Sequence, residues 1–422
     1  MILFDFLYLF ALVITLPLWI KVLLKKEYRS LLKYRLLPDI KYSKSKRIWL
    51  HAVSMGEVRS LKYLVSQLKE IFPNKEIVLS VSTPAGYKCA KEEYSGISVI
   101  NAPVDFSFTI RLFIRKINPE ILILNELEIW PNWVRISYKK HIPMILINGR
   151  ISEKAFMSYS KWLFFFRRFF KKIQLFLVQA SIYNERFQHL GIEKEKIIVC
   201  GNIKADEAFN RLENLPPNPD IFNYLGITPQ GKTIVTLASS HQPDEEVVIP
   251  AIREHDPRFF FIIIPRHLNR VPDVETLLQK NEVEFSTWSK CTDKTSRKGN
   301  VLIFDKMGYL FEVLKITDIV FMGGTLDSKT GGHNLYEPAV QGKYIIGGPF
   351  FNNFPDIGSD LVKRGVYHIV QNPGEFTSRL VQYDSLEMDS IREEAIKAVS
   401  VRKGSIQCII NEIQKIIPKN NL

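Results

Sequence analysis

Short, unbroken apolar runs recur along the whole chain, and they restrict its fold more than any other feature. RIWLHAVS, EIVLSVST, ISVINAPV, EILILNE, IPMILING, LFLVQA and KIIVCGN fall between residues 47 and 202. Their hydrophobicity is continuous rather than alternating, the pattern of strands covered on both faces. The segments between them are long enough for crossover helices, so a parallel, doubly wound α/β sheet is expected. RLENLPPNPD, 211–220, interrupts the series with three prolines among polar residues, after which TIVTLASS, FFFIIIPRH, VLIFD, DIVFMGG, KYIIGGP and YHIV begin a second one. A chain of 422 residues exceeds one ordinary core. Two Rossmann-like doubly wound domains facing across a cleft are therefore predicted, with ligands at the carboxyl ends of the strands. The expected division is 25–210 for the first domain, 211–220 for a linker and 221–387 for the second domain. A helical segment, 388–422, is expected to pack back on the first.

Ahead of the first strand stands MILFDFLYLFALVITLPLWIKVLL, 24 residues with Asp5 as the one charge before Lys21. The length suffices to cross a bilayer core, which takes ~20 apolar residues. The segment lacks the basic start and small-residue cleavage site of a secretory signal, and Lys21, Lys25, Lys26, Arg29, Lys33 and Arg35 follow the apolar run. Residues 1–24 thus read as a retained single N-terminal membrane anchor with the body on the cytoplasmic side. Asp5 and Pro17 keep a second reading open, a helix lying in one leaflet.

The net charge of +13 is uneven: residues 1–210 hold 33 Lys and Arg against 18 Asp and Glu, whereas residues 211–422 hold 24 against 26. The first half is suited to anions, be they nucleic acid, acidic lipid or a phosphorylated substrate. Cys89, Cys200, Cys291 and Cys408 are widely spaced without a CxxC, so no disulfide framework or zinc site is predicted and the thiols are expected to be reduced. HExxH and DxD are missing, and no metal or cofactor is expected.

In the second half, FMGGTLDSKTGGHNLYEPA follows a strand and carries Gly323 and Gly324, a second Gly pair, and then Asn334 and Glu337 three apart. If HNLYEPA opens a helix, both side chains share a face where backbone N–H groups meet an anion and Glu337 accepts from sugar hydroxyls. A plain glycine turn with a helix cap fits the same residues. LASSH contributes Ser239 and His241, IPRH contributes Pro265, Arg266 and His267, and DKMGYL a Met307-Gly308 turn, all at the same edge of the predicted sheet. Arg266 suits a phosphate or carboxylate, while each histidine taken singly is as consistent with a structural role.

In the first half, LNELEIWPN places Glu126 and Glu128 two apart at a strand end. They share a face if the strand persists, and paired acids raise one another's pKa; alternatively, one caps the helix near Pro131. KWLFFFRRFFKKIQLFLV interleaves aromatics with Lys161, Trp162, Arg167 and Arg168. It reads as an interfacial acceptor or membrane contact in preference to a nucleic-acid platform, with a buried core helix as the competing account. HAVSMGEV puts Glu57 just past the first strand, where it is either a general base facing the nucleotide site or a charge serving the following helix.

Taken together, these stretches resemble one family, the Kdo transferases of lipopolysaccharide assembly, which are inverting glycosyltransferases of GT-B fold. HAVSMGE is similar to the family's SxGE turn, ELEIWPN to ETELWPN, NGRIS to NARLS and GNIKAD to GNLKFD, while ASSH, IPRH, DKMG and GGHNLYEPA match in order and spacing. The resemblance implies transfer of 3-deoxy-manno-octulosonic acid (Kdo) from CMP-Kdo to a lipid A precursor at the cytoplasmic face of the inner membrane. It places Glu57 on the catalytic base and Glu126 on a second acid of the first domain. Arg266, Met307, Gly308, Asn334 and Glu337 fall on CMP-holding positions, and Ser239, His241, Pro265, His267, Gly323 and Gly324 complete the expected donor set. Leu127, Ser239, Lys306 and Tyr309 depart from the family pattern without removing a named catalytic group.

Overall fold

A computed structural model of the chain describes residues 3–15, 26–215, 231–253, 256–291 and 299–417. Two compact units account for them: Met1–Glu207 with Gly404–Leu422, and Ala208–Lys403. Each is built on a seven-stranded sheet whose strand pairings are all parallel.

The first unit contains β1 (Arg47–Ala52), β2 (Ile77–Val81), β3 (Ser98–Asn101), β4 (Pro119–Asn125), β5 (Met144–Gly149), β6 (Leu175–Val178) and β7 (Ile197–Val199). Their order is β3-β2-β1-β4-β5-β6-β7, so the winding direction reverses between β1 and β4. Every residue of β1 is buried. Ile48, Leu50 and Ala52 enter one apolar layer with Leu64, Val65 and Ile409, while Trp49 enters the opposite layer with Phe113, Trp133 and Phe170. Two covered faces explain why the strand reads as an unbroken apolar run. Trp49 Nε1 donates to Ser80 Oγ at 2.9 Å, which satisfies the polar atom that burying an indole brings in.

The second unit repeats the plan with β8 (Thr233–Ser240), β9 (Phe259–Pro265), β10 (Ser286–Thr287), β11 (Val301–Ile303), β12 (Ile319–Met322), β13 (Tyr344–Gly347) and β14 (Tyr367–Ile369). The order β10-β11-β9-β8-β12-β13-β14 reverses between β8 and β12. In open α/β sheets, ligands bind at the carboxyl ends beside such a reversal.

The expected boundaries shift. Residues 211–213 of the anticipated linker complete the helix Ile203–Glu213, and its residues 216–220 lie outside the described ones. The helix Met388–Ser400 belongs to the second unit, and the chain returns to the first only at Gly404. There the helix Ser405–Ile416 buries Ile406, Ile409, Ile410 and Ile413, while Asp206 accepts from the backbone N–H of Gly404 and of Ile406 at 2.8 Å each. This return corrects the cysteine reading: Cys200 and Cys408, 208 residues apart, are joined in a disulfide, and Cys89 and Cys291 are free. Spacing rules look for near neighbours in sequence, and here a returning helix makes the pair.

Among the described residues, no helix is long and apolar enough to cross a membrane. Residues 16–24 of the expected anchor lie outside them. Its described part, the helix Leu3–Ile14, has 12 residues and so a length of about 18 Å, against ~30 Å of bilayer core. It is tied to the first unit by its polar residues. Asp5 accepts from Ser107 N at 2.9 Å, from the Ser107 hydroxyl, and from Asn132 Nδ2 at 3.0 Å. Tyr8 donates to Asp105 at 2.7 Å, and Phe4 packs edge-on against Phe165 and Phe169. Phe6, Leu9 and Phe10 are left exposed. The charge that interrupts the apolar run is thus a docking residue.

Candidate active site

The reversal point of the first sheet gathers the acids. β1 ends at Ala52, and Ser54, with extended φ/ψ, caps the helix Met55–Ser60 by accepting from Glu57 N at 3.4 Å. Glu57 folds back in the manner of a capping-box acid: Ser54 Oγ donates to its Oε1 at 3.2 Å and Val53 N to its Oε2 at 3.0 Å. A third donor arrives from the neighbouring strand, Asn125 Nδ2, at 3.2 Å from Oε2. Helix service and chemistry therefore do not exclude one another here. The half-buried Glu57 carboxyl is pushed up from 4.5 to about 7, first by burial and then by the charge of Glu126, against the opposing effect of its three donors.

Glu126 stands one residue past the end of β4, with φ 57° in the left-handed region. Its N–H bonds Ile147 O at 3.0 Å, and its Oε2 accepts from Arg150 Nε at 3.0 Å. The strand does not persist, so alternation no longer pairs it with Glu128; that carboxylate instead accepts from Trp130 Nε1 at 2.8 Å. Asn125 and Arg150 escaped the sequence reading. Asn125 sits inside an apolar run, where nothing separates it from an ordinary buried amide, although its place at the last strand position was a usable signal.

At the reversal point of the second sheet, the segments after β8 and β12 lock together. Ser239 takes φ 56°, and a Cβ on Gly323 would stand 2.3 Å from Ser239 O, so only glycine permits this approach. Asp244 joins the two segments, its Oδ2 accepting from His241 N and from Gly324 N at 2.8 Å each. Burial, ahead of all other causes, raises its carboxyl from 3.8 to about 7. The rings of His241 and His333 stack 5.1 Å apart with their Nε2 atoms at 2.8 Å, so one proton is shared between them, and His267 lies edge-on to His241 at 6.2 Å. The His241 imidazole is held below its ordinary value, chiefly by burial and then by His267.

Pro265 ends β9, and Arg266 N donates to Ser240 O at 3.1 Å. Met307 and Gly308 form an exposed turn, with Gly308 at φ 95°. Asn334 precedes the short helix Tyr336–Val340 and accepts from Tyr336 N at 3.2 Å. Glu337, in the first turn of that helix, pairs with Arg211 at 3.2 Å. Arg211 also reaches Glu312 at 3.7 Å and lies 4.2 Å over the Phe311 ring. Asp244 and Arg211 are the members of this cluster that the motifs alone did not put forward as site residues. Among the described residues, no group of three or more His, Cys, Asp and Glu is arranged to hold a metal ion.

Lys161, Trp162, Arg167 and Arg168 belong to the first unit, on the successive helices Glu153–Lys161 and Leu163–Phe170. Phe169 and Phe170 are buried, as a core helix requires, whereas Trp162 is 67% and Phe164 95% exposed. Arg168 lies over the rings of Phe4, Phe165 and Phe169, which couples this pair of helices to the N-terminal one.

Comparison with known proteins bears on both halves. The family model described as 3-deoxy-D-manno-octulosonic-acid transferase (kdotransferase) matches residues 30–207. A bifunctional glycosyltransferase/methyltransferase of Fusobacterium nucleatum is 32% identical over 402 residues, covering 94% of this chain and 61% of that protein, so the chain spans under two thirds of that relative. A 3-deoxy-D-manno-octulosonic acid transferase of Haemophilus influenzae is 30% identical over 382 residues, 88% of each chain. Among solved structures, a glycosyltransferase from Rickettsia africae superposes with a TM-score of 0.60 at 14% identity, covering 89% of this chain and 100% of that one. That likeness is one of fold, two parallel-sheet α/β domains of the GT-B type.

Proposed function

The chain belongs to the Kdo transferase family of glycosyltransferases, and from that premise we propose that it moves Kdo from CMP-Kdo to a hydroxyl of a lipid A precursor, with Glu57 as general base. The observation that carries the assignment is the Glu57 carboxyl, presented at the sheet reversal, bound by Ser54, Val53 and Asn125, and poised near pH 7 by burial and Glu126. A base of that strength accepts a hydroxyl proton near neutrality without being quenched as a strong base would be. The acceptor oxygen gives its proton to Glu57 and forms a bond to the anomeric carbon of Kdo. The bond from that carbon to the phosphate oxygen breaks, its electron pair leaves with CMP, and the configuration inverts. Arg266 and the stacked pair His241–His333 meet the donor's negative charge, while Asn334 and Glu337 hold the nucleotide. Exposed Phe6, Leu9, Phe10, Trp162 and Phe164 rest the first unit on the cytoplasmic face of the inner membrane, which supports a bisphosphorylated, acylated acceptor for the basic half.

The test incubates the protein with CMP-Kdo and a tetraacylated lipid A precursor and reads the mass added to the lipid. Glu57→Gln is expected to lower transfer by about 10²–10⁴-fold while CMP still binds. Undiminished transfer by that variant, or sugar drawn from UDP-hexoses in place of CMP-Kdo, refutes the proposal.

A further inference from the structure

The amino edge of the first sheet, opposite the carboxylates, holds an open groove of about 660 Å³ beside the starts of β1, β4 and β5. One wall is the helix Ser107–Ile117, from which Phe108, Arg111, Leu112 and Arg115 line the groove. Positions i, i+3, i+4 and i+7 form a single stripe on a helix, so these four residues alternate apolar and cationic groups along one line. Lys46, from the segment leading into β1, and Lys140, which follows the helix Pro131–Lys139, bring two more ammonium groups. Phe108 is 57% exposed, an unusual cost for a stripe that meets only water.

Among the described residues, the lining contains four cations and no carboxylate. The neighbouring groove around Asp39 and Glu76 differs: there Arg47 is neutralised by Glu76 at 2.7 Å. Among the described residues, Lys46, Arg115 and Lys140 join no ion pair. Helix dipoles account for only part of the cluster. Arg115 lies in the last turn of its helix and Lys140 caps the next, where positive charge is favourable. Lys46 is on another segment, outside any helix end.

Two guanidinium forks and two ammonium groups over an apolar floor suit a phosphate ester that carries hydrocarbon. The groove also runs on into an exposed aromatic surface. Phe108 stacks on Phe106 at 6.0 Å, Phe106 is edge-on to Tyr8 at 5.9 Å, and the helix bearing Tyr8 exposes Phe6, Leu9 and Phe10. We propose that this groove is a binding site for an anionic phospholipid, its phosphodiester held by Arg111, Arg115, Lys46 and Lys140 and the start of its acyl chains lying along Phe108 and Leu112. The site is separate from the residues assigned to donor and acceptor, and it stabilises the folded first unit by mass action when lipid is bound.

The experiment titrates the full chain with dihexanoyl phosphatidylglycerol below its micelle concentration, with dihexanoyl phosphatidylcholine and with inorganic phosphate, followed by calorimetry and by the thermal midpoint. Phosphatidylglycerol is expected to bind at least tenfold more tightly than either of the others, with affinity falling as salt rises. The double variant Arg111→Gln/Arg115→Gln loses that affinity tenfold or more, whereas Lys88→Gln, at an exposed cation elsewhere on the unit, leaves it unchanged. Equal binding of phosphatidylcholine refutes charge selection, and equal binding of inorganic phosphate refutes the acyl contact. Wild-type affinity in the folded double variant refutes the site. Should that variant fail to fold, Lys46→Gln/Lys140→Gln carries the same expectation and the same refutation. Glu57→Gln is expected to bind phosphatidylglycerol like the wild type, which separates this proposal from the catalytic one.

Discussion

Replacing Glu126 by glutamine tests whether the first-unit acids act as a pair. Glu57 stands at about 7 against an ordinary 4.5, an elevation worth roughly 3 kcal/mol. Burial is its first cause and the Glu126 charge its second, so removing that charge returns a part of the elevation and leaves the rest. The sign follows from the chemistry: a general base works when ionised, so kcat/KM falls as pH drops through the Glu57 value, and a lower value extends activity toward acid. The assay is kcat/KM from pH 5 to 9 with CMP-Kdo and a tetraacylated lipid A precursor, each variant normalised to its own maximum. The wild-type acidic limb is expected near 7 and the Glu126→Gln limb at lower pH. At pH 6 the ionised fraction of Glu57, about one tenth in the wild type, then rises. A limb that stays in place, or moves toward alkali, refutes the coupling of the two acids and with it the reason given for the strength of the base.

Three further outcomes follow from the packing. Asp5→Ala strips the acceptor from Ser107 N and Asn132 Nδ2, and is expected to cost about 1–3 kcal/mol and to expose the N-terminal helix to limited proteolysis before the rest of the unit. Gly323→Ala drives a methyl into the Ser239 carbonyl and is expected to cost about 1–3 kcal/mol and to weaken CMP binding; Gly365→Ala, at φ 70° with open space around it, costs about 1–2 kcal/mol in denaturant titration and spares CMP. Reducing the Cys200–Cys408 bond should lower unfolding free energy by about 2–5 kcal/mol, and Cys200→Ser should match the reduced protein and ignore dithiothreitol; identical denaturant midpoints with and without reductant would contradict the pairing.

The acids and the glycine turn were legible because their places depend on short-range rules. An apolar run buried on both faces ends where polar residues begin, and at a reversal of strand order that end is where a ligand binds, so Glu57 and Gly323 could be located from their neighbours in sequence. Glu126 was located for an incomplete reason. Alternation along a continuing strand suggested a shared face with Glu128, but β4 stops at Asn125 and the left-handed turn at Glu126 sends its carboxylate to Arg150. Likewise Asp5 looked like a blemish in a membrane span, because its partners Ser107 and Asn132 lie more than a hundred residues away.

By itself, then, the order of residues determined that two parallel sheets would form, which strand ends would carry acids, arginine and glycine, and which family the motifs resemble. Those properties arise from side-chain periodicity and backbone freedom, which act over a few residues. Only the tertiary structure decided that Asn125 would donate to Glu57, that Asp244 would clasp Gly324, that Arg211 would pair with Glu337, and that Cys408 would return to Cys200. Each of these joins segments whose meeting depends on strand order and helix return, and the strength of Glu57 as a base depends on what such meetings bury beside it.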